Sequence, residues 1–472
     1  MKEPSIYRRA LGLAVPMMIQ NGITNAVGLV DHVMVGSLGT EAMTAVSIVG
    51  QLIFVFNLAI FGGLSGPGIY GAQFYGQKNA EGVRASFRMK LLICAACLAA
   101  GLAVFLCAGE PLIGLYLKGE SAEVDPVLTT AHGMRYLRIM LLGLAPFTVT
   151  QIYAGTLRET GDSIRPMIAG IVSVASDVLF NYLLIYGKFG FPQLGVAGAA
   201  AATVIARVLE MTVILVMAHR KKNYPYLRGI YRTMRIPAAL RGQMLRKSLP
   251  IFCNEFLWAG GVAAMTQCYS HRGLHIVSAL NISNVLCNLL NVVFVALGSA
   301  VGILTGQRLG RCEFEAAKRD SFKLMRFTGA LCLTLTGVLI ACSGLFPKFY
   351  DTTARIRSLA TQFIIVTALF FPVQGYLNAL YFTLRSGGRT LVTFLFDSFY
   401  SWVFMVPLTL LLCRKTGLPV LTVYAIVQSA DFIKVLIGYV LIRKGIWISN
   451  LTEAGAADAK DAGAPQLTED AG

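Results

Sequence analysis

Apolar residues in this chain fall into long runs, separated by short polar segments rich in lysine and arginine. Runs of spanning length lie at about 10–35, 42–70, 90–109, 132–156, 166–186, 195–218, 248–269, 276–304, 327–346, 359–383, 391–413 and 420–442. A bilayer core of ~30 Å is crossed by ~20 helical residues. A barrel strand would need only ~10 residues and would alternate. The pattern therefore predicts an all-α polytopic membrane protein with about twelve transmembrane helices.

The runs repeat. Pro16 in "LAVPMMIQ" and Pro250 in "KSLPIFCN" hold the same place in their halves. The same offset carries "GAQFYGQ" (71–77) onto "TGQRLGR" (305–311), matching Gln73 with Gln307 and Gly76 with Gly310. Further on, "TLRETGDS" (156–163) matches "TLRSGGRT" (383–390). Three matches in one order predict two pseudo-symmetric six-helix bundles around a central cleft. They divide the chain into an N-lobe at 1–219, a basic cytoplasmic linker at 220–247, a C-lobe at 248–446 and a disordered acidic tail at 447–472. Six spans per half keep both halves in one orientation, the parallel repeat that suits alternating access by rocking.

Composition agrees with the pattern and sharpens it. The 472 residues are 56% hydrophobic and 14% charged, against roughly 25% charged in soluble domains. The net charge of +17 sits in the loops, which argues against nucleic acid and for the positive-inside rule. Most of the 41 Lys and Arg fall on one side, together with both termini. That side is read as cytoplasmic, in a plasma (inner) membrane. The segment 109–126, "GEPLIGLYLKGESAEVDP", is acidic and falls outside. The ten cysteines show no spacing for a metal or disulfide framework, and Cys94 and Cys97 read as packing residues. No metallo-, nucleotide- or nucleophile-elbow motif is present. The chain reads as a transporter and not an enzyme, energised by an ion gradient and needing no cofactor. A small-molecule substrate and membrane lipids are its expected partners, and a monomer its expected state.

Ionisable and amide groups within spans are the candidate site, because a charge there is costly. Asp31 lies in the first span. Asp177 and Asn181, four residues apart on one helical face, lie in the fifth, and Thr203 lies in the sixth. Two carboxylates, an amide and a hydroxyl suit a proton or a small cation. In the second half, Glu255 follows Asn254 early in the seventh span. Asn281, Asn284, Asn288 and Asn291 share one face of the eighth, which should line a cavity or the bundle interior. Gln374, Asn378 and Tyr381 mark the tenth span, and Asp397 the eleventh. Arg207–Glu210 and Asp431–Lys434 read as structural i, i+3 pairs, and His32 as a support for Asp31. The spans offer few arginines or lysines to a cleft.

These motifs together resemble the multidrug and toxic compound extrusion (MATE) family. The carriers are "LAVPMMIQ…GLVDHVMVGSLG", "GAQFYGQKN", "TLRETGDS", "NYLLIYGKFGFPQLGVAGAAAAT", "NEFLW", "GQRLGR", "TLRSGGRT" and "DFIKVLIGYVLIRKGIW". The resemblance implies export of cationic or amphipathic small molecules in exchange for H⁺ or Na⁺. Asp31 falls on the family's first-span acid of the N-lobe cation site, and Thr203 on its sixth-span hydroxyl. The DinF-like order of amide then acid is reversed in Asp177 and Asn181. Glu255 falls on the seventh-span acid of the NorM-like C-lobe site, whose tenth-span partner acid is Gln374 here. That loss leans the reading towards H⁺ through the N-lobe, with Na⁺ open. A lipid-linked oligosaccharide flippase of the same superfamily is the alternative.

Overall fold

The helices of the first half are α1 (Ile6–Gly36), α2 (Thr40–Gly76), α3 (Ala80–Leu117), α4 (Pro126–Leu142), α5 (Leu144–Glu159), α6 (Ile164–Tyr186) and α7 (Val196–Arg220). Those of the second are α8 (Ala238–Ser270), α9 (Leu274–Gly310), α10 (Phe314–Ser343), α11 (Ala354–Ser386), α12 (Thr390–Lys415) and α13 (Val420–Arg443). This computed structural model describes residues 5–117, 125–220, 224–350 and 352–452. Among them, 10 helices are long and apolar enough to cross a membrane, or 11 when the bent pair α4–α5 counts as one span. The remaining member of the predicted dozen is α8, whose Asn254 and Glu255 dilute an otherwise apolar run. Large apolar side chains such as Leu106, Leu333, Leu369 and Leu436 stand exposed on the outer faces of the spans, as lipid-facing residues must.

Three predicted boundaries change. The fourth span is broken at Gly143, where α4 and α5 bend by 46°, because Pro146 has no N–H to donate back to Leu142. Half of the acidic outer segment continues α3 to Leu117, although residues 118–124 lie outside the described residues. The first residues assigned to the tail, 447–452, pack against the fold. Trp447 is fully buried and Leu451 is 7% exposed, while 453–472 lie outside the described residues.

The internal repeat is written into the backbone. Left-handed residues recur at matched places: Gly39 and Gly273 before α2 and α9 (φ 112° and 123°), Lys78 and Cys312 after them (61° and 60°), and Gly161 and Gly388 (92° and 71°). Lys78 and Cys312 pay a side-chain strain in that region which glycine would avoid. The helices α2 and α9 have the same length, 37 residues.

The two halves join where α2 and α9 end. A methyl on Gly76 would lie 2.1 Å from the carbonyl oxygen of Gln307, and one on Gly310 would lie 2.0 Å from that of Gln73. Only glycine permits so close a crossing. The matched glutamines bridge it reciprocally. Gln73 Nε2 donates to the Ser386 carbonyl at 3.0 Å, and Gln307 Nε2 donates to the Glu159 carbonyl at 2.8 Å; Glu159 and Ser386 are themselves repeat mates. Gln73 also donates to the Ser449 carbonyl at 3.2 Å and accepts from Leu451 N at 2.8 Å. Nearby, Ala10, Leu13, Ala14 and Met17 of α1 pack with Ala296, Leu297, Ala300, Val301 and Leu304 of α9.

Gly310→Ala is expected to pry this end apart, since a side chain 2 Å from a backbone carbonyl forces a shift costing about 1–3 kcal/mol. Spin labels at the exposed Lys78 and Glu315 would read it as a shift to longer distances. An unchanged distribution would show the crossing to be slack.

The basic segment between the halves is no free linker. Tyr226, Leu227 and Ile230 are buried, and residues 221–223 lie outside the described residues. Arg84 donates to the carbonyls of Pro225 and Tyr226 at 2.9 and 3.2 Å, and Arg88 to that of Ile230 at 3.2 Å. The segment is thereby fastened to α3.

Candidate functional site

Above the crossing lies a cavity of about 790 Å³. Its N-lobe walls are α1, α2, α5, α6 and α7, and Glu255 of α8, α9 and the end of α11 close it from the other half. The small-residue start of α7 shapes the upper wall. A methyl on Gly198 would sit 2.5 Å from the Leu184 carbonyl, so α7 presses on α6 and brings Thr203 towards Asp177.

All four predicted N-lobe residues meet there. Asn181 Nδ2 donates to Asp31 Oδ1 at 2.9 Å. Asp177 and Thr203 line the same cavity as Asp31, and the Thr203 hydroxyl donates to the Ala199 carbonyl at 3.2 Å. Two carboxylates are acceptors only, so a hydrogen bond between carboxyls requires one proton. Asp177 Oδ1 and Asn181 Oδ1 are buried without a protein donor. This arrangement can hold one exchangeable proton, or offer several oxygens to a small cation. His32 stands exposed.

The second-half candidates do not form one cavity. Glu255 alone lines it. Asp397 is taken by Lys434 Nζ at 2.7 Å and by Asn254 Nδ2 at 3.2 Å. It lies in a stretch of wide π-helical turns, Leu395–Phe399 and Ser401–Met405. Gln374 Nε2 donates to Asp431 Oδ2 at 2.5 Å. The supposed Asp431–Lys434 pair is thus split, because Asp397 on α12 offers the lysine a second, closer carboxylate. Asn281, Asn284 and Asn288 are exposed, with Asn288 Oδ1 accepting from Asn291 at 3.1 Å. They are not among the residues that line the cavity, to which α9 contributes Val295, Ala296, Ser299, Gly302, Ile303 and Gly306.

Sequence reasoning missed the floor. Arg158 and Arg385 stand at the ends of spans and read as loop residues, yet both line the cavity, with Arg207 on its wall. Arg207 does not pair with Glu210; its guanidinium lies over the Phe147 ring at 5.1 Å. Beneath them, Lys90, fully buried, binds Glu159 Oε2 at 2.5 Å and Thr156 Oγ1 at 3.0 Å. Gly68 and Gly71 make room for that carboxylate, as a methyl on either would be 2.5 Å from it. The signal was present in the sequence: Arg158 and Arg385 are the arginines of the repeated "TLR".

The sequence model of the MatE family matches residues 16–183 and 250–411. The two matched stretches begin at the repeat-related Pro16 and Pro250. The chain belongs to the MATE family. Among curated relatives, the probable multidrug resistance protein YoeA of Bacillus subtilis (strain 168) is 28% identical over 444 residues, covering 93% of each chain. The probable multidrug resistance protein NorM of Thermotoga maritima is 23% identical, covering 87% of this chain and 86% of that one. Among solved structures, a MATE protein in complex with MaD3S superposes with a TM-score of 0.83 at 18% identity, over 94% of this chain and 96% of that one. The outward-facing conformation of a multidrug resistance MATE family transporter of the MOP superfamily gives 0.82 at 18%, over 93% and 97%. The MATE fold, two helical halves around a cavity, is therefore the fold of this chain, and the protein is a multi-pass membrane protein.

Proposed function

We propose that the protein is a plasma-membrane efflux transporter that exports amphipathic small molecules in exchange for protons. The reading places both termini in the cytoplasm, so that the glycine crossing is the closed inner end and the cavity opens outward. The observation that carries it is that Asp31 and Asp177 both line one wall of the cavity, with Asn181 Nδ2 donating to Asp31 Oδ1 at 2.9 Å. The relatives named as multidrug resistance proteins support the substrate class. Protonation from outside would hold the pair together. Loss of the proton to the inside would leave two carboxylates that repel, within reach of a cationic substrate. Coupling then follows from competition between proton and substrate for one charged site, as the halves rock.

A second reading, Na⁺ in place of H⁺, draws on the unpaired oxygens Asp177 Oδ1 and Asn181 Oδ1. The C-lobe supports it less, since Lys434 already neutralises Asp397. Vesicles loaded with a fluorescent lipophilic cation separate the two. An inward-directed pH gradient, with sodium absent, is expected to drive efflux. Efflux that needs a sodium gradient, and ignores pH, would replace the proton reading by the sodium one.

A further inference from the structure

The repeated "TLR" motif has no part in the proton site, yet it places a guanidinium from each half on the cavity floor. Arg158 and Arg385 line the cavity, and Arg207 joins them from α7. Among the described residues, none of the three forms an ion pair with a carboxylate. Arg158 gives Nη2 to the neutral Gln20 Oε1 at 2.8 Å, and its buried Nε has no partner. Arg207 makes one long bond, 3.4 Å, to the Gly143 carbonyl. Arg385 lies over the Phe382 ring at 5.4 Å. Glu159, the acid directly after Arg158, is bound by Lys90, while Glu210 and Glu255 line the same cavity without closing to an ion pair with any of the three.

A guanidinium carries five donors in a fixed fork suited to carboxylate and phosphate. Leaving such donors unmade in a buried place is costly. We infer that these arginines form an anion subsite, and that the cavity takes amphiphiles bearing a carboxylate or phosphate as well as a cationic centre. The cationic centre is met by acids that line the same cavity, Asp31, Asp177 and Glu210 from one half and Glu255 from the other. The position has a mechanical consequence. Arg158 and Arg385 directly precede Glu159 and Ser386, whose carbonyls receive the crossing bonds. An anion held by both arginines links the two halves at their closed end.

This inference rests on reading the cavity as the substrate site, but its test uses no gradient, so a failure of proton coupling would leave the result untouched. The probes are rhodamine B, which carries a free carboxylate, and rhodamine B ethyl ester, which keeps the cationic ring system and masks the carboxylate. Binding to the full chain in neutral detergent is read by fluorescence anisotropy. The acid is expected to bind about tenfold more tightly than the ester. Arg158→Gln and Arg385→Gln should each bring that ratio close to one by weakening the acid alone. A wild-type elution profile and thermal unfolding midpoint show that a variant is folded, and Arg158→Lys, which keeps the charge but loses the fork, should fall between. An ester that binds the wild type as tightly as the acid, or a ratio that survives both substitutions, overturns the proposal. Repeating the measurement in nanodiscs with and without phosphatidylglycerol assigns the source. Loss of the acid's advantage there makes a lipid headgroup the occupant of the same arginines, and its retention makes the occupant a free solute.

Discussion

Asp31→Asn is expected to cut proton-driven efflux by at least about 100-fold, equivalent to about 2.7 kcal/mol. The amide keeps the shape of the side chain and can still bond to Asn181, whose Nδ2 lies 2.9 Å from Asp31 Oδ1. It cannot gain or lose a proton in the working pH range. Asp177→Asn should do the same for a related reason. An amide N–H can then bond Asp31 with no proton added, so the pair has none to exchange. Thr203→Ala removes only a hydroxyl that lines the cavity and should cost far less. Initial rates in vesicles under a fixed pH gradient measure all three. Wild-type rates in Asp31→Asn would remove this carboxyl from the coupling step.

Lys90→Met carries the largest expected effect on stability. Its ammonium is fully buried, 2.5 Å from Glu159 Oε2, and Gly68 and Gly71 close over the carboxylate. Removing the lysine strands a buried negative charge, a loss of about 3–5 kcal/mol. The double variant Lys90→Met/Glu159→Gln removes both charges and should recover most of that loss, because the pair itself contributes little net stability. Thermal unfolding of detergent-solubilised protein distinguishes the cases. A single variant as stable as the wild type would mean that water reaches Glu159. A double variant no better than the single would mean that packing of the lysine stem matters more than its charge.

The fold was legible because its two strongest signals are written in one dimension. Apolar run length gives the spans, and the matched prolines, glutamines and glycines give the duplication. The crossing of α2 and α9 then explains why those particular residues recur, since Gly76 and Gly310 allow the contact and Gln73 and Gln307 bridge it. The N-lobe cluster was legible for a similar reason: a carboxylate inside a span must find a partner, and Asp177 lies inside another span of the same half. What was hidden depends on partner choice in three dimensions. Lys434 has Asp431 one turn away on its own helix, yet it takes Asp397 from α12. The asparagine stripe of α9 has the periodicity of a buried face, but Asn281, Asn284 and Asn288 stand exposed outside the cavity lining. Arg158 and Arg385 look like loop residues because the helices α5 and α11 reach past the apolar runs, to Glu159 and Ser386. That extension carries both guanidiniums back under the cavity.

The central claim is that substrate and proton exchange at the Asp31–Asp177 pair. Proton movement driven by substrate tests it most directly. Vesicles containing the protein, in sodium-free potassium buffer with the membrane potential clamped, are given an outward substrate gradient while an enclosed pH dye is followed. Inward proton flux is expected to start with substrate exit in the wild type and to be absent in Asp31→Asn and Asp177→Asn. Substrate exit with no proton entry, or proton entry that persists in both variants, would contradict the account.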